Sequence, residues 1–290
     1  VTPAALVATA LMSHRKRGMT QASLLDACET LMGTLENMGA RVAHQLRVGD
    51  GRIREDTIDE ALALFLDARL IVAHDTGPEP IYTIDSERRI ALEYYQNTVI
   101  HFFVPRALVA AGLLVDKDDW VDTTRLNDRV QQLSRLFKHE FIFRTDATFD
   151  EIFADTVREM SEDGEIEIRN GQVQASEGIK RQRLLRYSTM LQTFFESYLL
   201  ALRGAEIVLD GPISKKDWYK RTLALGQQMY LAGEIERRES LSKLKLETAL
   251  KALEDYRLVQ FNDEMLERGD GVESVADLHA LEPKLTSFLR

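Results

Sequence analysis

Apolar residues recur every three or four positions through most of the chain, and clusters of glycine, proline and polar residues divide that rhythm into segments. Thr2-Pro3 reads as an N-cap with proline at the first helical position. The helix it opens puts Leu6, Val7, Ala10 and Leu11 on one face and runs into His14-Arg15-Lys16-Arg17 before Gly18. Thr20 caps a second helix that reaches about Met38 and stops at Gly39, with Leu24, Leu25, Cys28, Leu31, Met32 and Leu35 as its buried stripe. After a turn at Gly49-Asp50-Gly51, a third helix begins at Thr57 and places Ile58, Ala61, Leu62, Phe65, Leu66 and Leu70 at helical spacing. LIVAH, the breaker DTGPEP and IYTID then read as a hairpin. Residues 92–106 predict one helix closed by Pro105. Ala91, Leu92, Tyr95, Val99, Phe102 and Phe103 line one side, with Glu93, Asn97 and His101 four apart on the other.

Three helices followed by a hairpin resemble a winged-helix arrangement, and the theme returns. Residues 149–160 read as a helix followed by GEIEIRNGQVQA, a hairpin near 165–175 with Asn170-Gly171 at its tip. Residues 247–256 read as a helix before the β-prone run RLVQFNDEM. Asp116 to Trp120 reads as a loop or boundary, and residues 124–137 as an amphipathic helix running into KHEFIFRT. A long helix from Gly178 to Leu202 opens with Lys180, Arg181, Arg183 and Arg186, then presents Met190, Leu191, Phe194, Phe195, Tyr198, Leu199 and Leu202. Gly211-Pro212 breaks the chain. Ser214 starts a helix through Trp218 and Leu223 to Met229, capped by Gly233. Residues 240–253 form another helix, and the charged stretch from Glu267 is expected to fray. The fold class is mainly α, a multi-helix chain with short β-hairpins in winged-helix-like units. The expected organisation is one helical, winged-helix-like region over 1–110 and a second helical region over 111–290.

Composition narrows the function. Hydrophobic residues make up 44% of the 290, enough for a sizeable core, and the net charge of −10 argues against a surface given over to nucleic acid or anionic lipid. Cys28 is the sole cysteine, so no intrachain disulfide forms. No histidine pair has ligand spacing, and neither a metal nor a cofactor is expected. The apolar run AALVATALM is too short to span a bilayer, and nothing resembles a signal peptide.

Four stretches carry a family resemblance. LEYYQN with IHFFVPRAL, the opening VTPAALVATALMSHRKRGMT, LLRYSTMLQTFFESYLLALR and GEIERRESLSKLKLETALKAL resemble segments of the bacterial membrane-associated glycerol-3-phosphate acyltransferases, in the family's order and over nearly the whole chain. Thr193 stands where that family often has a proline before its F-x-E-x-Y pattern, which implies a straighter helix. The opening resembles the segment just after the family's catalytic domain, so the chain, which begins at Val1, reads as a fragment lacking that domain. The resemblance implies that the complete enzyme acylates the sn-1 hydroxyl of glycerol 3-phosphate from acyl-CoA or acyl carrier protein, in phospholipid synthesis, as a peripheral protein on the cytoplasmic face of the cell (inner) membrane. Its implied partners are its own N-terminal acyltransferase domain, those substrates and the membrane surface.

Acyl transfer to an alcohol needs a general base and donors for the oxyanion. The family supplies the base as a histidine with an aspartate five positions later. None of the six histidines here has that aspartate: His14, His44, His74, His101, His139 and His279 are followed at that distance by Met19, Gly49, Glu79, Arg106, Arg144 and Lys284. The family's F-P-E-G-T-R-type phosphate motif, a P-loop, G-x-S-x-G and H-E-x-x-H are also absent. No residue is therefore assigned a catalytic role. The candidate binding residues are His14, Arg15, Lys16 and Arg17, read either as cations complementing a helix dipole or as a contact for phosphate or an anionic lipid headgroup. Asn97 and His101 are read either as facing a groove or as a solvated stripe. A second reading is a winged-helix scaffold or protein-interaction module without enzymatic activity. Nucleic acid is not an expected partner, because the helix over 57–70 carries Asp56, Asp59, Glu60 and Asp67 against Arg69 alone.

Overall fold

A computed structural model of the chain describes residues 1–49, 51–75, 77–116, 120–142, 146–279 and 281–288. Asp50, Thr76, residues 117–119, residues 143–145, Ala280 and residues 289–290 were assigned above to turns, a boundary, the KHEFIFRT run and the C-terminal stretch; they lie outside the described residues. The chain divides into two compact units. Unit 1 is Val1–Ala107 with Leu185–Met190, and unit 2 is Leu108–Leu184 with Leu191–Arg290.

Among the described residues one supersecondary order appears three times: helix, short strand, helix, helix, hairpin. The first module is α1 (Pro3–Met12), β1 (Gly18–Thr20), α2 (Gln21–Asn37), α3 (Glu55–Asp67), β2 (Ile71–His74) and β3 (Ile81–Ile84). After α4 (Arg89–Asn97) comes the second, made of α5 (Ile100–Leu114), β4 (Val121–Asp122), α6 (Thr123–Leu136), α7 (Phe149–Glu162), β5 (Ile166–Arg169) and β6 (Gln172–Ala175). After α8 (Ile179–Met190) the third comprises α9 (Gln192–Ala205), β7 (Ile213–Ser214), α10 (Lys215–Ala232), α11 (Lys243–Asp255), β8 (Val259–Asn262) and β9 (Met265–Arg268). The sheets repeat one antiparallel order, β1-β3-β2, β4-β6-β5 and β7-β9-β8. In each, a buried residue of the short strand faces a buried residue of the hairpin: Met19 on Tyr82, Val121 on Val173, Ile213 on Leu266. This is the winged-helix order, and the short first strand of each sheet is the element that periodicity did not reveal.

The local chemistry that builds each module also repeats. The last residue of each short strand caps the helix that follows: Thr20 Oγ1 accepts from Ser23 N, Asp122 Oδ1 from Thr124 N and Arg125 N, and Ser214 Oγ from Asp217 N. At the other end, the third helix of each module closes in one Schellman hook. Leu70 N donates to Phe65 O at 2.8 Å, Glu165 N to Met160 O at 2.8 Å and Leu258 N to Leu253 O at 2.9 Å, each across a residue with positive φ (Arg69, Gly164, Arg257). The hook turns the chain directly into the hairpin. The first helices are the core helices: α1 is buried continuously from Ala5 to Met12, and α9 over nearly its whole length.

Several sequence expectations are corrected. Residues 92–106 are not one helix: α4 ends at Asn97 and α5 starts at Ile100 after a 98° bend, so Pro105 lies inside α5 and closes nothing. The polar stripe does not exist either, because Glu93 is buried while Asn97 and His101 belong to different helices. The expected long, straight helix over 178–202 is interrupted at Leu191, where Phe194 N and Phe195 N turn back onto the Leu191 carbonyl and begin α9. The third helix starts at Glu55, not Thr57. His14 to Arg17 do not occupy a last helical turn: α1 ends at Met12, where Ser13 Oγ folds back onto Thr9 O at 2.5 Å. The stretch after Glu267 does not simply fray. It forms α12 (Val275–His279) and α13 (Glu282–Ser287), buries Leu278 and Leu285, and stacks Phe288 on Phe195 at 5.2 Å between ring centroids. Among the described residues no single helix is long and apolar enough to cross a membrane; α4 and α5 reach that composition only together, across their bend.

Candidate functional site

Two of the four motifs converge in unit 2 on one carboxylate. Glu196 lies in FFESY on α9, and with 1% of its surface exposed it would be costly to bury unpaired. Its oxygens are occupied by the loop GEIERRES that leads into α11. Oε2 accepts from Ser240 Oγ at 2.7 Å and Arg237 N at 3.0 Å; Oε1 accepts from Glu236 N at 3.2 Å and Gln192 Nε2 at 2.9 Å. Gln192, one turn before Glu196, extends the network: its Nε2 reaches Glu236 Oε2 at 3.0 Å, and its Oε1 accepts from Arg237 Nε at 3.2 Å. Ser197 Oγ lies 2.7 Å from Thr193 O and 2.8 Å from Ser240 O and donates to one at a time. Lys245 Nζ donates to Glu239 O at 3.1 Å and sits 5.4 Å from the centre of the Phe194 ring.

Burial pushes the Glu196 carboxyl above the ordinary range, and its four donors pull it partly back. The geometry makes a clamp, in which one carboxylate fixes two successive backbone N–H groups and a hydroxyl. Thr193, where the family often has proline, is buried on the same turn. The two remaining motifs meet in unit 1. There α1 packs against α4, Leu92 is fully buried, and Glu93, Gln96 and Arg106 are all nearly inaccessible. Sequence reasoning missed the buried Glu196 and Arg106 because a glutamate or arginine on an amphipathic helix is most simply placed in solvent. The signal available was the motif itself, a charged residue inside otherwise apolar FFESYLLAL and FFVPRAL.

The residues singled out from the sequence are dispersed. Arg15, Lys16 and Arg17 are exposed in the loop before β1, while His14 is half-buried with Nε2 3.1 Å from Gly18 O. Burial holds the His14 imidazole below its usual range; the Gly18 carbonyl opposes that, and Arg186 and Lys16 add to it. Unit 1 therefore brings Arg186, from the second basic cluster, into the field of His14. Asn97 is exposed at the end of α4, and His101 is exposed with its ring 4.2 Å from that of Phe102. Cys28 is fully buried and its thiol is pushed up to about 12, so it is an inert core residue. At the start of α10 Lys215 pairs with Glu247 at 3.3 Å and lies 5.5 Å from the centre of Phe261, whereas Lys216, Lys220 and Arg221 are exposed. Among the described residues no group of three or more His, Cys, Asp or Glu is arranged to hold a metal.

Comparison with known proteins agrees with the motifs. The model of the glycerol-3-phosphate acyltransferase C-terminal region matches residues 1–262. Proteins described as putative acyltransferase plsB1, from Mycobacterium bovis and Mycobacterium tuberculosis, are 22% identical over 295 aligned positions covering 96% of this chain. The alignment takes in 47% of each relative, so the chain spans about half the length of the curated relatives it matches.

Proposed function

The chain belongs to the glycerol-3-phosphate acyltransferase C-terminal region family, and from that premise we propose that it is the non-catalytic helical part of an enzyme transferring a fatty acyl group, from acyl-CoA or acyl carrier protein, to the sn-1 hydroxyl of glycerol 3-phosphate. The observation that carries this reading is the use the motifs are put to. Glu196, Ser240 and Gln192 spend their polar atoms on one another, on backbone and on the Glu236 and Arg237 side chains, which is how a brace is built; a catalytic base must keep an atom free for substrate. The base and the oxyanion donors then belong to a part of the enzyme N-terminal to this chain, and the helical modules support that part.

The enzyme so formed works in phospholipid synthesis at the cytoplasmic face of the inner membrane. The exposed cations Arg15, Lys16 and Arg17, with Lys216, Lys220 and Arg221, suit contact with anionic lipid, at about 1 kcal/mol for each cation near the surface. The scaffold reading is favoured separately by the three winged-helix modules. The exposed face of α3 carries Glu55, Asp56, Asp59, Glu60 and Asp67, a charge suited to a protein partner and opposite to what a phosphate backbone requires.

The test is acyl transfer to labelled glycerol 3-phosphate with palmitoyl-CoA or acylated carrier protein. This chain alone is expected to give no product, and the same chain joined to the preceding half of a mycobacterial relative is expected to give product. Turnover by the chain alone overturns the non-catalytic assignment, and silence from the joined protein favours the scaffold. Binding to phosphatidylglycerol vesicles at low ionic strength, lost with added salt, checks the membrane contact.

A further inference from the structure

Unit 2 contains a second feature that the motifs do not explain. A cavity of about 740 Å3 lies between α6, the end of α11 and the C-terminal helix α13, within the size range of small-molecule sites. Leu133 and Leu136 of α6 and Leu281, Leu285 and Phe288 of the C-terminal segment give it an apolar lining. Its charged residues are Arg129, Arg135, Lys138 and Asp255, three cations against one carboxylate. Arg129 is already held by the carboxylate of Asp116 and by Gly112 O at 3.1 Å, and Lys138 pairs with Asp255 at 2.8 Å, a carboxylate that His139 also reaches at 2.6 Å. Arg135 is different. Its side chain is exposed and makes no ion pair or hydrogen bond among the described residues, and its charge acts, with that of Lys138, on the phenol of the exposed Tyr256 in the same lining.

An apolar chamber with an unneutralised guanidinium at its edge has the chemistry of a long alkyl chain ending in an anion. We propose that this cavity binds a single-chain anionic amphiphile, its alkyl chain against the leucines and Phe288 and its headgroup on Arg135. The proposal stands on the cavity and requires no acyl transfer, so it survives or fails independently of the enzymatic reading.

The intact 290-residue chain is titrated with dansyl-undecanoate, and the bound probe is then displaced. The expected result is a saturable fluorescence rise reversed by palmitate or by palmitoyl lysophosphatidate, the stronger displacer distinguishing a carboxylate headgroup from a phosphate one. Cetyltrimethylammonium, with the same chain length and the opposite charge, displaces poorly. Arg135→Glu is expected to weaken binding about tenfold. Leu281→Asp, at the half-buried start of α13, weakens it independently of Arg135, with an unchanged circular dichroism spectrum confirming the fold. The proposal is overturned by an unsaturable signal, by equal displacement with the cationic amphiphile, or by unchanged affinity in both variants.

Discussion

The first and third modules have the same order of elements and the same capping chemistry, yet they are held together differently. In the first, the polar groups of the core helix α1 are satisfied within it: Thr9 Oγ1 donates to Ala5 O at 2.7 Å and Ser13 Oγ to Thr9 O. In the third, α9 exports its polarity, since Glu196 fixes a loop some forty residues further on and Gly204 O accepts from Trp218 Nε1 at 2.9 Å. Glycine is used differently as well. A methyl group added at Gly33 of α2 would meet nothing, whereas one at Gly204 of α9 would collide with Thr222 of α10. The first module has an apolar core helix, and its polar cross-links come from α2 instead, where Glu29 Oε2 accepts from Ile53 N at 2.9 Å and Gln21 Nε2 donates to Asp59 Oδ1 at 3.1 Å. The third is keyed by a few residues whose removal is felt across it.

The sharpest break in that comparison is Glu196→Ala. It strands four donors and opens a cavity, with an expected loss of about 3 kcal/mol, while Thr9→Val in α1 costs about 1 kcal/mol. Urea unfolding followed by tryptophan fluorescence reads unit 2 alone, because Trp120 and Trp218 both lie there; far-ultraviolet circular dichroism reads the whole chain. The pH dependence follows from burial. The folded Glu196 carboxyl titrates above its unfolded value, so its favourable contribution is complete at low pH and is lost as pH rises through the raised folded value. The stability gap between the natural protein and Glu196→Gln is therefore expected to narrow with rising pH. Asp116 runs the other way. The hydrogen bond from Arg129 holds its carboxyl below the usual range, so its contribution is present above the unfolded value and is lost as pH falls through the lowered folded one. Equal pH profiles for Glu196→Gln and Asp116→Asn would erase the distinction between a buried clamp and an ion pair.

Glycine substitutions give the next largest effect, with opposite signs. Gly204→Ala is expected to destabilise by about 1–3 kcal/mol, because the β-branched Thr222 cannot rotate out of the way, and Gly33→Ala to stabilise by about 0.5–1 kcal/mol. Thermal melts of the two variants check the pair. The smallest effect separates the hooks. Gly164→Ala is expected to cost about 1 kcal/mol at its left-handed φ of 66°, and Arg257→Gly, which relieves a φ of 57°, is expected to gain a few tenths, both read by the same denaturant titration.

Much of this architecture is written in local signals. Thr20, Thr2-Pro3, Ser214 and Asn170-Gly171 mark caps and a turn that the chain uses as its sequence suggests, and the helix-plus-hairpin theme is visible because each hairpin follows an apolar helical stripe. The two- and three-residue strands were not legible. A strand as short as Val121–Asp122 has no period to detect and exists only because Val173 offers it a partner. The resemblance was legible in four motifs, but their roles were not, since periodicity alone put Glu93 in solvent and made Asn97 and His101 one stripe.

The sequence alone determined the helical class, the positions of most caps and turns, the solitary buried thiol and the absence of the family's histidine–aspartate spacing. All of these depend on residues close together in the chain. Tertiary structure decided that residues 92–106 bend, that the helix over 178–202 breaks at Leu191, that the first strands complete three sheets, and that FFESY and GEIERRES form one site around Glu196. Those outcomes depend on what stands opposite each residue once the chain has folded. A buried carboxylate is tolerable only when its donors arrive from elsewhere, and one-dimensional spacing carries no record of that arrival.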